Sequence, residues 1–538
     1  MKKITEFIEE SFVHPKDDDI KDILSLVLDV HDENLSITDF DKSTLATHTE
    51  ENEHSIYSFS IPNQGVPREK IKSLISKLFQ GTPRWHSPRT IYNAAPPPLQ
   101  TTIATKFLTS LYNPNLALHT ASGNSLNTEQ KVIKAIARYV GWDELSAGGI
   151  FTWGGKATTM YAIKLGLTRC SPNSSKHGIK DDVVVISTEA GHPSHISDAE
   201  WLGIGSSNVI RLGADQNTKI DLVQLEETMR SCVTHSKKIA AIIISGGTTN
   251  DMMVDPIDCV IKLRDSLVRE FAMEYIPHVH VDAVVGFPWL FFKDYDFDKN
   301  ELGISLSAKS RIKGVLDDLK YINQADSFGI DFHKMGFCPY ISSVFMLKDA
   351  RNFSEKRKDI FNWPFFYSME NSRPADGPNT AYIALNTLGV EGFQKIIAHL
   401  TEVAVNLSEL LNISKEFELV NTTCQGTASL FLPKVPENVH FDNFDSEIKV
   451  RNEYASAFIE RLNKLGNPYY IDKIPSNATG SQQVPLTSLK TFTMSPFSSL
   501  ESNEEFINFL KKLKKEIDTD FNFSSGQSNY QEEKHPLK

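Results

Sequence analysis

Ala325-Asp326-Ser327-Phe328-Gly329-Ile330-Asp331-Phe332-His333-Lys334-Met335-Gly336-Phe337-Cys338-Pro339 is the stretch around which this 538-residue chain is organised. Lysines are ordinarily solvated surface residues. Lys334, however, follows a histidine and leads into an apolar, glycine-containing run. An earlier stretch gives it meaning. His278-Val279-His280-Val281-Asp282-Ala283-Val284-Val285-Gly286 sets an aspartate at the end of a β-like run, with small and apolar residues after it. An acid at the C-terminal end of one strand is thus followed, later in the chain, by a lysine just past another apolar run.

That pairing is what pyridoxal phosphate requires. The lysine carries the cofactor through its amine, and the carboxylate keeps the pyridine nitrogen protonated. Both stretches resemble the group II pyridoxal-phosphate-dependent amino acid decarboxylases, whose patterns are HVDAA and, later, DSxxxDxHK. Here they read HVDAV and DSFGIDFHK, with Ser327, Asp331, His333 and Lys334 all in register. The resemblance implies a fold type I architecture, an α/β transferase-like fold. Its large domain has a mostly parallel sheet with helices on both faces, and a smaller α+β domain follows. It also implies that Lys334, Asp282, Val284, Asp331 and His333 surround the cofactor.

Working back from this core, Gly148-Gly149-Ile150-Phe151-Thr152-Trp153-Gly154-Gly155-Lys156-Ala157-Thr158-Thr159 runs from a β-like piece through a glycine pair into a helix bearing Met160, Ile163 and Leu167. A glycine turn feeding a helix N-terminus offers free N–H groups and a favourable dipole to a phosphate. The segment is similar to the family's TSGGTEAN cradle, which would make Gly154, Gly155, Lys156, Ala157 and Thr158 phosphate-site residues. Trp153, Lys156 and Ala157 replace Ser, Thr and Glu of that pattern. Backbone contacts survive such changes, and Thr158 is the candidate for a side-chain contact. Lys156 either adds charge at the phosphate or points to solvent.

Asp182–Ser187 and Ile239–Ser245 are short β-branched and apolar runs, the mark of strands buried on both faces. The first leads to Glu189-Ala190-Gly191-His192-Pro193-Ser194-His195, then Leu202-Gly203-Ile204-Gly205, which resembles the glutamate decarboxylase branch (EHSHFS, then LGIG). In that register His192 stacks on the cofactor ring; His195 is the competing candidate and otherwise reads as a capping or turn histidine. The second run leads to Gly246-Gly247-Thr248-Thr249 and Asp255-Pro256-Ile257, matching the family's AGTT and DPI. This places Thr248 by resemblance near the ring's 3-hydroxyl or the carboxylate. The β-α-β-α-β order, with chemistry at strand C-termini, independently predicts a mostly parallel sheet with helices over it.

Downstream, Tyr367 stands in a segment where the family carries the tyrosine that protonates the α-carbon. Arg373 resembles the family's Ser-Arg segment. Gly389 is expected to open a long helix with Ile396, Ile397, Leu400, Val403 and Leu407 inward. Ser502 and Glu505 suggest a capping box for the last helix. Lys490 sits where the family has an arginine that often holds the substrate's α-carboxylate, and a lysine lacks the bidentate fork.

Composition bounds the rest. A net charge of −12 leaves no general basic surface for nucleic acid. Five cysteines without CxxC spacing read as free thiols in a reducing compartment. No apolar run reaches membrane-span length, so a cytoplasmic protein is expected. The expected organisation is an N-terminal helical and dimerisation segment (1–115), a large cofactor-binding domain (116–375), a small domain (376–520) and a disordered tail (521–538). A homodimer is implied by resemblance. The expected activity is decarboxylation of an L-amino acid, acidic ahead of aromatic, with basic diamino acids open. On the same scaffold stand a carbon–carbon lyase and an aldehyde-forming amine oxidase. A catalytically silent binding protein is opposed by the retention of Asp282, His192 and Lys334 together. A fold type I aminotransferase fits the cofactor set but not DSxxxDxHK.

Overall fold

The computed structural model describes residues 2–13, 20–46, 57–214, 218–353, 368–479, 484–521 and 523. The chain forms two compact units. One comprises Met1–Thr90 with Glu460–Tyr470, and the other Ile91–Ile459 with Ile471–Lys538.

The first unit holds the helices Lys2–Ser11, Lys21–Ser36 and Arg68–Phe79. Pro67 precedes the third of these with φ −58°, pre-set for a helix start. Within this unit Ser43 N–H and Oγ both donate to the Asn467 carbonyl.

The second unit is built on a seven-stranded sheet. Its strands are β1 (Gly148–Thr152), β2 (Val183–Thr188), β3 (Val209–Leu212), β4 (Lys238–Ser245), β5 (His278–Asp282), β6 (Ser327–Asp331) and β7 (Ser343–Leu347). Their spatial order is β1-β7-β6-β5-β4-β2-β3. All neighbours pair in parallel except β7, which is antiparallel to both β1 and β6. Every residue of β1, β2, β6 and β7 is buried, as strands sandwiched between helical layers must be. The aromatic run Phe287–Phe292 packs into the main core, with Phe291 stacked on Phe393 at 4.4 Å between ring centroids. Among the described residues all five cysteines are free, and four of them are buried.

A second, antiparallel sheet follows, formed by β8 (Phe417–Leu419), β9 (Ala428–Pro433), β10 (Asp472–Thr479) and β11 (Val484–Phe492) in the order β10-β11-β9-β8. The helix expected to open at Gly389 begins earlier. It runs Asp376–Ile413 and is broken at Gly389, whose φ of +57° is open to glycine at little cost. Phe393, Ile397, Leu400, Ala404, Leu407 and Leu411 line its buried face. Among the described residues this is the one helix long and apolar enough to cross a membrane, and 56% of its most apolar window is buried inside the fold. The last helix, Leu500–Asp520, is capped one turn earlier than expected. Ser499 is the N-cap and Ser502 its reciprocal partner. Of the expected tail only Phe521 and Phe523 are described.

Candidate active site

The C-terminal ends of β5 and β6 carry two aspartates on adjacent strands. Asp282 is in register with Ser245 of β4 and Gly329 of β6, and Asp331 is in register with Ser343 of β7. Beyond Asp331 the chain folds into a tight loop. Phe332 N–H donates to the Ser342 carbonyl (2.7 Å), Cys338 N–H to Phe332 (2.9 Å) and Lys334 N–H to Asp331 (3.1 Å). This loop aims Lys334 back at the sheet, with Nζ 3.0 Å from Asp331 Oδ2. Ser343 Oγ donates to the other oxygen at 2.6 Å. His333 Nδ1 accepts from Ser342 N–H (3.2 Å), which leaves Nε2–H for Asp331 at 3.4 Å. Burial works to lower the Lys334 pKa, but Asp331 and then Asp282 outweigh it and hold the amine above its ordinary value.

Asp282 is served from the opposite side. Arg211 donates to Ser187 Oγ (3.3 Å), Ser187 Oγ meets His195 Nδ1 (2.7 Å), and His195 Nε2 lies 3.3 Å from Asp282 Oδ2. Burial alone would raise this carboxyl. The His195 hydrogen bond and the positive potential of His195 and Lys334 prevail and hold it far below the usual carboxylate range. The orienting histidine is therefore His195, a residue read from sequence as a turn or cap. His192 lies on the wall of the adjoining cavity, its Nδ1 2.8 Å from Ser194 Oγ. Burial lowers the His192 pKa, and Asp282 opposes that effect.

The glycine loop folds as its sequence demands. Glu129, 1% exposed, accepts from Phe151 N–H (2.9 Å) and from both terminal nitrogens of Arg373 (2.6 and 3.0 Å), fixing the end of β1. Gly154 then turns with φ +147°, and the helix Gly155–Cys170 starts. A Cβ at Gly155 would stand 2.9 Å from Asp331 Oδ2 and 3.1 Å from Val284 Cγ1, so only glycine lets the helix begin against the acid. Ala157 N–H donates to the Gly154 carbonyl at 3.0 Å. Thr158 Oγ1 donates to the Gly155 carbonyl (2.7 Å) and packs on Gly329, so its hydroxyl serves the helix–strand contact. Lys156 Nζ donates to Ser197 Oγ (2.8 Å) and lies 3.7 Å from Asp198 Oδ1. Burial pushes the Asp198 carboxyl up to about 7.

Thr248 closes a turn with Met253, where its N–H donates to the Met253 carbonyl (2.9 Å) and its Oγ1 accepts from Met253 N–H (3.1 Å). This turn is welded to the end of β5, because a Cβ at Gly286 would lie 1.9 Å from the Gly246 carbonyl oxygen. Thr248 and His192 both line a cavity of about 670 Å³, as do Asn93, Asp251, Asp472 and Lys490. Tyr367 lies outside the described residues.

These residues fit pyridoxal phosphate. An Asp282 carboxyl held well below the usual carboxylate range suits a protonated pyridine nitrogen. Lys334 presents an amine beside it, and a glycine turn opens a helix next to Asp331. Gly154 leaves open space where a side chain would project, as a phosphate cradle requires.

No family model matches the chain. It is 29% identical over 245 residues to an L-tyrosine decarboxylase of Enterococcus faecalis, covering 41% of this chain and 39% of that protein. It is 24% identical to an acidic amino acid decarboxylase of Xenopus tropicalis (62% of this chain, 63% of that protein). It is 21% identical to an L-2,4-diaminobutyrate decarboxylase of Acinetobacter baumannii (83% and 84%). The chain thus spans less than two thirds of the first two relatives. Among solved structures, mouse CSAD in its apo form superposes with a TM-score of 0.76 at 18% identity, covering 92% of this chain and all but 1% of that one. Sequence relatives and motif register agree in their similarity to group II pyridoxal-phosphate-dependent amino acid decarboxylases, and the chain has the fold of the solved structure it superposes on.

Proposed function

We propose that this chain is a pyridoxal-phosphate-dependent carboxy-lyase that removes the α-carboxylate of an L-amino acid as CO2 and leaves the amine. The observation that carries this reading is the facing pair at the ends of β5 and β6. Asp282 is held ionised by His195, and Lys334 is held as an ammonium by Asp331. When bound, the cofactor supplies an electron sink conjugated to the substrate's α-carbon. The chain's own residues do the remaining work. Asp282 keeps a proton on the ring nitrogen, His195 and Ser187 fix the orientation of that carboxylate, and Lys334 anchors the cofactor and yields its place to the substrate amine. His192 covers one ring face, and Gly154–Thr158 with the helix they open hold the phosphate. Thr248 and Val284 border the ring, and Tyr367 returns a proton to the α-carbon. The homodimer, the cytoplasmic location and the division into large and small domains at 375–376 belong to the same proposal.

The relatives named above act on tyrosine, acidic and diamino substrates, and this supports the reaction class without choosing a side chain. The test is direct. Protein loaded with pyridoxal phosphate should show the visible absorbance of the lysine-bound cofactor and release CO2 from at least one L-amino acid. Lys334→Ala should lose both. Absorbance without CO2 from any amino acid would move the reading to the lyase or oxidase chemistry of the same scaffold. Absence of the band in excess cofactor would overturn it.

A further inference from the structure

Beside the glycine turn lies a carboxyl that is served only from a distance. Asp198 stands on the helix Ser194–Trp201 and is 0% exposed, and neither of its oxygens has a hydrogen-bond partner among the described residues. Lys156, the second residue of the helix that Gly155 opens, faces it with Nζ 3.7 Å from Oδ1. That is longer than a hydrogen bond. The ammonium donates instead to Ser197 Oγ at 2.8 Å, and Ser197 Oγ donates to the Ser194 carbonyl at 2.9 Å. A buried carboxylate without donors is costly, and burial pushes Asp198 up to about 7.

The surroundings make Asp198 depend on Lys156. Lys156 favours its charged form, and Asp282 at the end of β5 opposes it. Arg211 on β3 is engaged by the carbonyls of Glu189, Gly191 and His192 and by Ser187 Oγ. His195, on the same helix as Asp198, faces Asp282. The short turn Ser206–Asn208, which packs on that helix, carries no charge. Lys156 itself is free to move, since its side chain is 33% exposed. It also belongs to the segment Gly154–Thr158 assigned above to the phosphate. A phosphate monoester carries close to two negative charges and three acceptor oxygens, against at most one charge on a carboxyl that burial already disfavours. Two anions thus compete for one ammonium, and the phosphate holds it more strongly.

We infer that Lys156 serves two anions in turn: it balances Asp198 before the cofactor binds and leaves it for the cofactor phosphate, whereupon Asp198 takes a proton from solvent. One O–H bond forms, and no other covalent bond changes. Cofactor binding is thereby linked to proton uptake at Asp198. This rests on the cofactor reading above, but not on the reaction or its substrate. The sign of the linkage follows. Below pH 7 Asp198 is largely protonated beforehand, and the exchange leaves affinity unchanged. Above pH 7 the proton must be taken up on binding, so affinity falls by up to ~10-fold per pH unit.

The probe is pyridoxamine phosphate, which has the ring and the phosphate but no aldehyde, so Lys334 forms no bond to it. Calorimetric titrations at pH 8 in two buffers of different ionisation enthalpy count the protons taken up. The parent should take up about one proton more than Asp198→Asn. Asparagine leaves Lys156 uncontested, so Asp198→Asn should bind the probe ~10-fold more tightly than the parent at pH 8 and equally well at pH 6. Lys156→Met should also lose the extra proton, and should bind at least ~10-fold more weakly than Asp198→Asn. It keeps the test open should Asp198→Asn fail to fold. Equal proton counts in the parent and both variants, or an affinity ratio that is the same at pH 6 and pH 8, would overturn the inference alone. No binding of the probe by the parent would overturn the cofactor reading and the inference together.

Discussion

Two carboxylates at opposite ends of the central sheet have had very different treatment. Asp326 lies at the N-terminal end of β6. Its oxygens receive Arg264 (2.7 Å), Arg169 (3.2 Å) and Val279 N–H (2.9 Å), and its pKa is lowered: burial would raise it, but His278 and the two arginines outweigh that. Around the C-terminal ends of β4 to β6 and on the cavity wall, charges are held half-finished. Asp282 has one histidine at 3.3 Å and a long contact from Val284 N–H at 3.4 Å, and one oxygen of Asp251 is buried with no hydrogen-bond partner among the described residues. Both ends are ionic and both are buried. Saturated ionic networks hold elements together, whereas unsaturated ones wait for something else. Hydrogen-bond completeness therefore separates structural charge from working charge better than burial does.

Substitutions can break that contrast. Lys334→Ala should abolish turnover, by at least ~10³-fold, while leaving the denaturant midpoint close to the parent's. Asp282→Asn should lower kcat by roughly 10²–10³-fold, because the charge opposite the ring nitrogen is lost. His195→Gln should show a milder form of the same defect, with cofactor still bound. Asp326→Asn should behave oppositely. Urea unfolding should report a loss of about 3 kcal/mol, because Arg169 loses its carboxylate and Arg264 keeps only Asp265, with activity per folded molecule retained. Lys490→Met should stabilise the protein at pH 7, by on the order of 3–4 kcal/mol at ~1.4 kcal/mol per pKa unit. Burial lowers this lysine from 10.5 to about 8 in the folded state. Carrying its charge below pH 8 is thus a folded-state cost, and the gain should shrink as pH rises from 8 towards 10.5.

The finest test is a slope. His278 and His280 share Ser327 Oγ (2.7 and 2.8 Å), and burial lowers them to about 4 and about 3. Unfolded, they take up protons near pH 6.5. Between pH 6.5 and 4 the unfolded state therefore binds more protons, and stability should fall with acidification. Each histidine contributes about 1.4 kcal/mol per pH unit. His280→Asn should remove one such increment, read from unfolding midpoints across that range.

Much of the architecture was legible because buried parallel strands write themselves as unbroken apolar runs. Val183–Thr188 and Lys238–Ser245 are examples, and their C-terminal ends mark where ligands gather. The antiparallel sense of β7 was not legible, since Ser343–Leu347 reads the same in either direction and only its pairing with β1 and β6 sets it. His195 was misjudged for a related reason. His192 and His195 lie three residues apart and look equivalent in one dimension. The helix that begins at Ser194 buries the second and turns it towards Asp282. The partnering of Lys156 with Ser197 and Asp198 was equally out of reach, because it depends on the starts of two helices, about 40 residues apart in the chain, packing side by side.

The loop that carries Lys334 has a kinetic consequence. It is closed at its neck by Phe332 and Ser342 and cross-tied by Cys338. A Cβ at Gly336 would already collide with the Phe332 backbone at 2.6 Å. Little room is left for the main chain to travel, so the amine changes partners by torsions of its own methylenes. Such rotations take picoseconds to nanoseconds, against microseconds for loops. Exchange of partners at this amine therefore needs no movement of the main chain beneath it.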